Sequence, residues 1–173
     1  MSLKLARHEH DPYWRLRPPQ PTPYRDLCDC RDRPAIKLMP SDGFNPLSCM
    51  ACNLEVDPET IAFPAELADA IAGWQADYQA LDHLWLRGPE RYRNWARMQL
   101  EEISSPVHQQ GLAIRRRLEW YRPAYYWIFA WRHGALAEVS QCPICLEATQ
   151  PHTGAKASWW VCDTCGLVAD TSD

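Results

Sequence analysis

The chain has 173 residues, of which 46% are hydrophobic and 23% are charged. This length leaves room for one ordinary domain, or for a small core with metal-stapled additions. Nine Trp and seven Tyr within that apolar share exclude a disordered protein. The formal net charge of −4 excludes a protein coated in positive potential, so any surface for nucleic acid must be local.

The polarity of the chain start and the number of cysteines predict a compartment. Residues 1–14 are too polar for a signal peptide or a membrane span. We therefore expect a cytoplasmic protein with no membrane partner. Thiols stay reduced in the cytoplasm, where paired cysteines are more often metal ligands or redox centres than structural disulfides.

The first third of the chain is predicted to be extended and then metal-bound. Residues 1–27 form an extended N-terminal segment, because its proline-rich run at 18–23 cannot be helical. Residues 28–56 are predicted to form a four-cysteine zinc unit with a turn at 41–43. The ligands of this unit would be Cys28, Cys30, Cys49 and Cys52.

Residues 57–137 are predicted to form a helical core of three helices with one strand. Pro64 opens the first helix, Gly88 ends it, and residues 90–103 form the second. The third helix begins after Ser105 and runs to about Tyr121, before a buried strand within 124–131. Helical spacing assigns to the core Leu67, Ile71, Trp74, Tyr78, Leu81 and Trp85, and the same reasoning assigns to packing Trp95 and Trp120.

Residues 138–173 are predicted to form a zinc ribbon. In each of its cysteine pairs two residues separate the thiols, so both thiolates can project from one tight turn. Four thiolates close a tetrahedron around Zn²⁺ and leave no position for water, which predicts a structural and not a hydrolytic site. A redox dithiol is the rival interpretation, but the sequence lacks the βαβ pattern of such proteins. The ligands would be Cys142, Cys145, Cys162 and Cys165.

The first quartet is less regular than the second. Only one residue separates Cys28 from Cys30, a spacing that seldom forms the usual turn. A second zinc ion is one interpretation. The alternatives are three cysteines with a histidine, for which His8 and His10 are the nearest, or a site without metal.

Motifs for catalysis are missing from the sequence. It has no phosphate-binding glycine loop, no His-Glu-x-x-His and no Gly-x-Ser-x-Gly. The histidines outside the N-terminal segment have no spaced partner, and we assign surface or structural roles to His83, His108, His133 and His152. We therefore expect no enzymatic activity and no small-molecule substrate.

Two arginine groups and one tryptophan are the candidates for contacts with nucleic acid, since arginines bind phosphates and aromatic rings stack on bases. The rival interpretation is a solvated helix side, because three consecutive helical residues span about 200° and cannot all face one ligand. Residues 55–90, with eight acidic residues against one basic, would also neutralise part of this charge. The candidates are Arg91, Arg93, Arg97, Arg115, Arg116, Arg117 and Trp159.

The order of several short segments across residues 44–169 resembles an uncharacterised bacterial family described as zinc-ribbon-containing, for which nucleic-acid binding is suggested. The chain departs from this family at Leu146 and Gly166, where the relatives have a glycine and an arginine. The matching segments are Pro46–Cys52, Trp74 with Tyr78, Leu81–Asp82, Ser104–Ser105, Gly111–Leu112, Arg117–Glu119, Pro123–Trp127, Cys142–Cys145 and Trp160–Val168.

Together these observations predict an α+β protein with two structural zinc sites. The first functional hypothesis is a non-enzymatic accessory protein that binds nucleic acid. The second is a protein-interaction module, an adaptor or inhibitor, that uses its acidic first helix or its ribbon, in keeping with the negative net charge.

Overall fold

The computed structural model describes residues 11–128, 140–154 and 158–170, together with the backbone of two short strands at 131–132 and 135–136. Helices and a mixed sheet lie in one chain, so the α+β class predicted from the sequence is confirmed. No helix within the described ranges is both long and apolar enough to cross a lipid bilayer.

The α-helices begin and end close to the predicted signals. Helix α1 (Ala65–Arg87) follows Pro64, and Gly88 and Pro89 separate it from α2 (Glu90–Glu101). Helix α3 (Pro106–Leu118) ends three residues before the predicted Tyr121. The turn between α3 and Pro123 places Arg122 in contact with another segment, since its Nε donates to the Pro34 carbonyl at 2.7 Å.

The count of helical segments differs from the three that were predicted. The described residues also contain three 3₁₀ helices, each of a single short turn. They carry the chain along the surface in the N-terminal part and before α1. Their bounds are Trp14–Leu16, Tyr24–Asp26 and Pro58–Thr60.

The sheet is larger than the single strand predicted for the core. The strands are β1 (Ile36–Leu38), β2 (Leu47–Cys49), β3 (Ala124–Trp127), β4 (Trp131–Arg132), β5 (Ala135–Leu136), β6 (Gln150–Thr153), β7 (Ser158–Cys162) and β8 (Leu167–Asp170). Among the described residues, six of them form one sheet in the order β2-β1-β3-β8-β7-β6, while β4 pairs with β5.

The pairing of these strands joins distant parts of the chain. Strand β1 is antiparallel to β2 and parallel to β3, and β3 is parallel to β8. Strands β8, β7 and β6 are antiparallel to their neighbours. The predicted segments 28–56, 57–137 and 138–173 each contribute strands to this one sheet. The division of the chain into those segments stays a prediction.

The two faces of the sheet have different partners. Alternate residues of the central strands point to the helices, where Ile36 and Tyr126 are fully buried and Tyr126 contacts Trp74 on α1 with ring centroids 5.8 Å apart. The opposite face carries a smaller apolar cluster around Val168 and Trp159. The sheet is therefore covered by helices on one face and has a second small core on the other.

The predicted core of α1 is confirmed in its first half, where Leu67, Ile71, Trp74 and Tyr78 are buried. Leu81 and Trp85 are only partly buried against that core, and two further tryptophans assigned to packing are exposed. Trp74 is buried and donates Nε1–H to the Val107 carbonyl at 3.0 Å. By contrast, Trp95 is 51% exposed and Trp120 is 89% exposed. The prediction fails for Trp95 because α2 buries only Ala96 and Leu100, and for Trp120 because it lies beyond the end of α3.

A buried histidine joins α3 to α2 and the sheet. His108 donates from Nε2 to the Leu100 carbonyl at 2.8 Å, so its Nδ1 accepts from the Tyr126 hydroxyl, also at 2.8 Å. Burial lowers the pKa of His108, and the bond to Leu100 opposes that shift only in part. The structural role predicted for this histidine agrees with these contacts.

We predict that His108 makes the protein less stable in mild acid. The imidazole of His108 is protonated near pH 6.5 in the unfolded chain but only at a lower pH in the folded chain. The contribution of neutral His108 to the free energy of unfolding is therefore complete above pH 6.5 and is lost as the pH falls toward the lowered pKa. His108→Gln should therefore show a smaller fall in the free energy of unfolding between about pH 7.5 and 5.5, measured by urea titration. The exposed His83→Gln should keep the wild-type fall, and equal pH profiles for all three proteins would refute the assignment.

Candidate metal centres

The C-terminal cysteines meet around one point. The sulfur atoms of Cys142, Cys145, Cys162 and Cys165 all lie within 4.8 Å of one another, and those of Cys145 and Cys162 are 3.6 Å apart. No disulfide joins them. Because a Zn–S bond is about 2.3 Å, the sulfurs of a tetrahedral site are separated by about 3.8 Å. The cluster therefore has the size that a four-thiolate metal site requires.

A tight turn places the first pair of this cluster. The Cys142 N–H donates to the Glu147 carbonyl and the Leu146 N–H donates to the Cys142 carbonyl, both at 2.9 Å. Leu146 has φ +62°, a left-handed conformation that glycine adopts most easily. The Ile144 N–H points at the Cys142 sulfur from 3.4 Å. The turn thus directs a backbone donor toward the thiol.

The second pair lies at the tip of the β7–β8 hairpin. Cys162 ends β7 and pairs with Leu167, the first residue of β8. Gly166 between them has φ +61°, and the Arg115 guanidinium occupies the place where its side chain would begin. Arg115 also donates to the Ala124 carbonyl at 2.7 Å. Helix α3 therefore packs directly against the second cysteine turn.

The N-terminal cysteines form a second cluster of the same kind. The sulfurs of Cys28, Cys30, Cys49 and Cys52 also lie within 4.8 Å of one another. Cys49 ends β2, and the Asn53 N–H donates to its carbonyl at 2.9 Å in a turn where Asn53 has φ +59°. The Cys28 N–H donates to the Glu55 carbonyl at 2.7 Å, which brings the irregular pair beside this turn. His8 and His10 lie outside the described residues.

The thiols within each cluster differ in acidity. Burial acts to raise the pKa of Cys49, but backbone N–H groups of Cys52 and Ala51 outweigh it and the pKa is lowered. Cys142 behaves in the same way because the N–H groups of Cys145 and Ile144 face its sulfur. Burial and the neighbouring thiols instead raise the pKa of Cys162 to about 11. Backbone N–H groups therefore favour ionisation of Cys49 and Cys142, whereas burial opposes ionisation of Cys162.

The donor set determines what these clusters can do. Each offers four sulfur ligands and no disulfide, so the two groups could hold metal ions in structural sites. Thiolate ligands suit soft and borderline metals, and four of them fill a tetrahedral coordination sphere. A metal bound in this way would cross-link its two turns and leave no position for a substrate.

A buried lysine lies between the two clusters. Lys37 on β1 is 0% exposed, and its ammonium group lies 3.6 Å from the centroid of the Trp159 ring on β7. The same group donates to Asn53 Oδ1, one residue after Cys52. Burial lowers the pKa of Lys37 to about 8, although the carboxylate of Asp170 acts in the opposite direction. This residue links the N-terminal turn to the ribbon, and no sequence pattern pointed to it.

The structure does not bring the two arginine groups together. Arg93 on α2 donates to the Trp85 carbonyl near the end of α1. The end of α3 lies at the other end of α1, where the rings of Tyr121 and Phe63 are 6.5 Å apart. A helix of the length of α1 spans about 35 Å, so the two groups cannot form one positive face.

Several of the candidate residues already have partners. Arg115 is 12% exposed and also pairs with Glu119 at 2.9 Å, and Arg97 pairs with Glu101 at 2.7 Å. Trp159 is 3% exposed beneath Lys37, so its ring is not offered to a base. The structure therefore gives no support to Arg115 and Trp159 as contacts. The exposed candidates are Arg91, Arg93, Arg116 and Arg117.

Comparison with known proteins adds one match. A family model described as a domain of unknown function, DUF2310, matches residues 45–129. The matched range includes α1 to α3 and two ligands of the N-terminal cluster, and it stops before the C-terminal cluster. No curated protein and no solved structure matches the chain. The metal chemistry therefore rests on the geometry of the cysteines.

We predict that Gly166→Ala destabilises the C-terminal cluster. The new methyl group would meet the Arg115 guanidinium and would be held at positive φ, a strain of about 1–2 kcal/mol before the steric clash is added. The variant should release one metal ion faster to a chelator, while Gly73→Ala, which meets no atom within 4 Å, should not. Adding Arg115→Ala should recover part of the loss. Equal release rates for wild type and Gly166→Ala would contradict the described packing.

Proposed function

We propose that the protein is a non-enzymatic accessory factor that holds two structural Zn²⁺ ions and binds single-stranded nucleic acid beside its N-terminal cluster. Zinc is favoured because a closed four-thiolate shell in a tetrahedron is its usual structural site. The unpaired thiols favour a reducing compartment such as the cytoplasm. A coordination shell filled by four thiolates has no position for a water molecule, which supports a protein without hydrolytic activity.

The surface that supports nucleic-acid binding lies at the end of α3. We define the α3-end surface by its exposed residues, which are Arg31, Arg33, Arg116, Arg117 and Trp120. The bond from Arg122 to the Pro34 carbonyl places the turn of residues 31–34 against the turn that follows α3. Exposed arginines around an exposed tryptophan are the chemistry that binds phosphates and stacks on bases.

The exposure of Trp120 is the observation that carries this proposal. The Trp120 indole is 89% exposed and so does not pack in the core. Stacking of such a ring on a base contributes about 1–3 kcal/mol to the free energy of binding. Asp29 and Asp32 lie in the same loop as Arg31 and Arg33, and a four-thiolate zinc site adds a formal charge of −2. The local potential is therefore modest, which favours weak and salt-sensitive binding to a single strand.

A protein-interaction module is the second candidate. Helix α2 exposes Tyr92, Trp95 and Met98 at a spacing of three residues, and Leu86 at the end of α1 is also exposed. Three such residues on successive turns form an apolar stripe that suits a partner helix or groove. The negative net charge of the chain favours a protein partner over a polyanion.

We predict that the metal-loaded protein binds a fluorescent single-stranded oligonucleotide at low salt. Arg116→Glu with Arg117→Glu should weaken binding by at least about tenfold, because two phosphate contacts become repulsive. Trp120→Ala should weaken it by about fivefold to a hundredfold through lost stacking. Fluorescence anisotropy across a salt series measures both effects.

The matched control is Arg91→Glu with Arg93→Glu, which makes the same charge change at the other end of α1. It should bind like the wild type if the α3-end surface is the site. Equal losses for both double variants would indicate a non-specific charge effect, and no binding at low ionic strength would remove the proposal. In either case the apolar stripe of α2 becomes the surface to test.

A further inference from the structure

The ammonium group of Lys37 on β1 is a buried positive charge. Lys37 is 0% exposed, and none of the ion pairs among the described residues includes it. Its nitrogen lies 3.6 Å from the centroid of the Trp159 ring and donates to Asn53 Oδ1. These two contacts favour an ammonium group but do not neutralise it. Because an uncompensated buried charge strongly destabilises a folded protein, a negative group is required nearby.

Two sources of negative charge flank this ammonium group. One is the carboxylate of Asp170 on β8, which also accepts from Trp127 Nε1 at 3.1 Å. The other is the N-terminal cluster, since Cys49 and Cys52 act with Asp170 to raise the pKa of Lys37 against the effect of its burial. Four thiolates around a divalent ion leave a formal charge of −2. A metal centre in this cluster is therefore the larger of the two negative charges.

The geometry directs the charge of Lys37 to the N-terminal cluster. Asn53, whose side chain accepts from the ammonium group, directly follows the ligand Cys52 in the same turn. On the side of the ribbon, the contact is with Trp159, which lies three residues before Cys162 and about 10 Å from it along β7. The ammonium group therefore touches the turn that carries the N-terminal ligands and stands well away from the C-terminal ones.

We propose that Lys37 is the counter-charge of the N-terminal metal centre and sets how tightly this cluster holds its ion. Its ammonium group offsets one of the two negative charges that four thiolates leave around a divalent ion. Groups just outside the ligands of a metal site typically change its affinity by about 10- to 100-fold. The inference rests on the metal sites of the proposed function and is independent of the α3-end surface.

A purely mechanical role is the alternative, in which Lys37 holds the cysteine turn through Asn53 and its charge does not act on the metal. The two roles predict different effects for the removal of the Asp170 carboxylate. If charge matters, Asp170→Asn makes the surroundings of the cluster more positive and strengthens its hold on the metal. If only contacts matter, the variant weakens an acceptor of Trp127 and brings no gain in metal retention.

The test measures the release of Zn²⁺ from the full-length, metal-loaded protein to EDTA at neutral pH. Freed cysteines are labelled with iodoacetamide and located by mass spectrometry, so that the two clusters are followed separately. We expect Lys37→Met, which keeps an unbranched side chain without the charge, to release the N-terminal ion at least about tenfold faster than the wild type. Asp170→Asn should release that ion about twofold more slowly. The C-terminal cysteines should be labelled at the wild-type rate in both variants.

The matched control is Asn53→Gly, which removes the hydrogen bond from Lys37 and keeps the charge. Asn53 has φ +59°, a conformation that glycine adopts easily, so the backbone of the turn is retained. This variant should accelerate release of the N-terminal ion by no more than about threefold, because one hydrogen bond is lost while the ammonium group remains.

Three outcomes would overturn the proposal and leave the metal sites standing. The first is release of the N-terminal ion from Lys37→Met at the wild-type rate. The second is equal acceleration in Asn53→Gly and Lys37→Met, which would indicate the mechanical role. The third is unchanged or faster release from Asp170→Asn, a result that decides the matter even if Lys37→Met fails to fold. Wild-type protein purified without the N-terminal ion would overturn this inference together with the metal sites.

Discussion

The meeting of four cysteine sulfurs in each of two groups, which could hold metal ions, is the constraint on which the rest of the structure depends. The strands beside the two clusters are only three to five residues long, and each cysteine unit is too small to bury enough apolar surface to offset its chain entropy. A structural zinc ion contributes an apparent 10–16 kcal/mol, about as much as the whole stability of a typical domain. Metal binding would therefore be part of folding.

The sheet connects each cysteine cluster to the rest of the fold. Strands β1 and β2 carry the N-terminal cluster to one side of β3, and β8 and β7 carry the C-terminal cluster to the other. Two cationic side chains add contacts between these parts of the fold. Lys37 links the N-terminal turn to the ribbon, and Arg115 links α3 to Gly166. We infer that the two metal units and the helices form a single cooperative structure in which neither unit is a detachable appendage.

Local signals in the sequence predicted what is local in the structure. The cysteine spacing predicted both clusters, and prolines and glycines predicted the bounds of α1, α2 and the start of α3 to within a few residues. Strands β1 and β8 could not be predicted, because their pairing with β3 joins residues about 40 to 90 positions apart and leaves no periodic pattern. The same long-range arrangement decides which charged and aromatic residues are exposed. It buries Lys37 and Trp159, separates Arg93 from Arg116 and leaves Trp120 in solvent.

The most direct test of the central claim is X-ray absorption spectroscopy at the zinc edge on protein purified under reducing conditions, with the metal content measured in the same sample. We expect two zinc ions per chain and a first shell of four sulfur atoms at about 2.3 Å, with no nitrogen or oxygen ligand. One ion per chain, a shell containing nitrogen or oxygen, or a folded protein that holds no metal would contradict it.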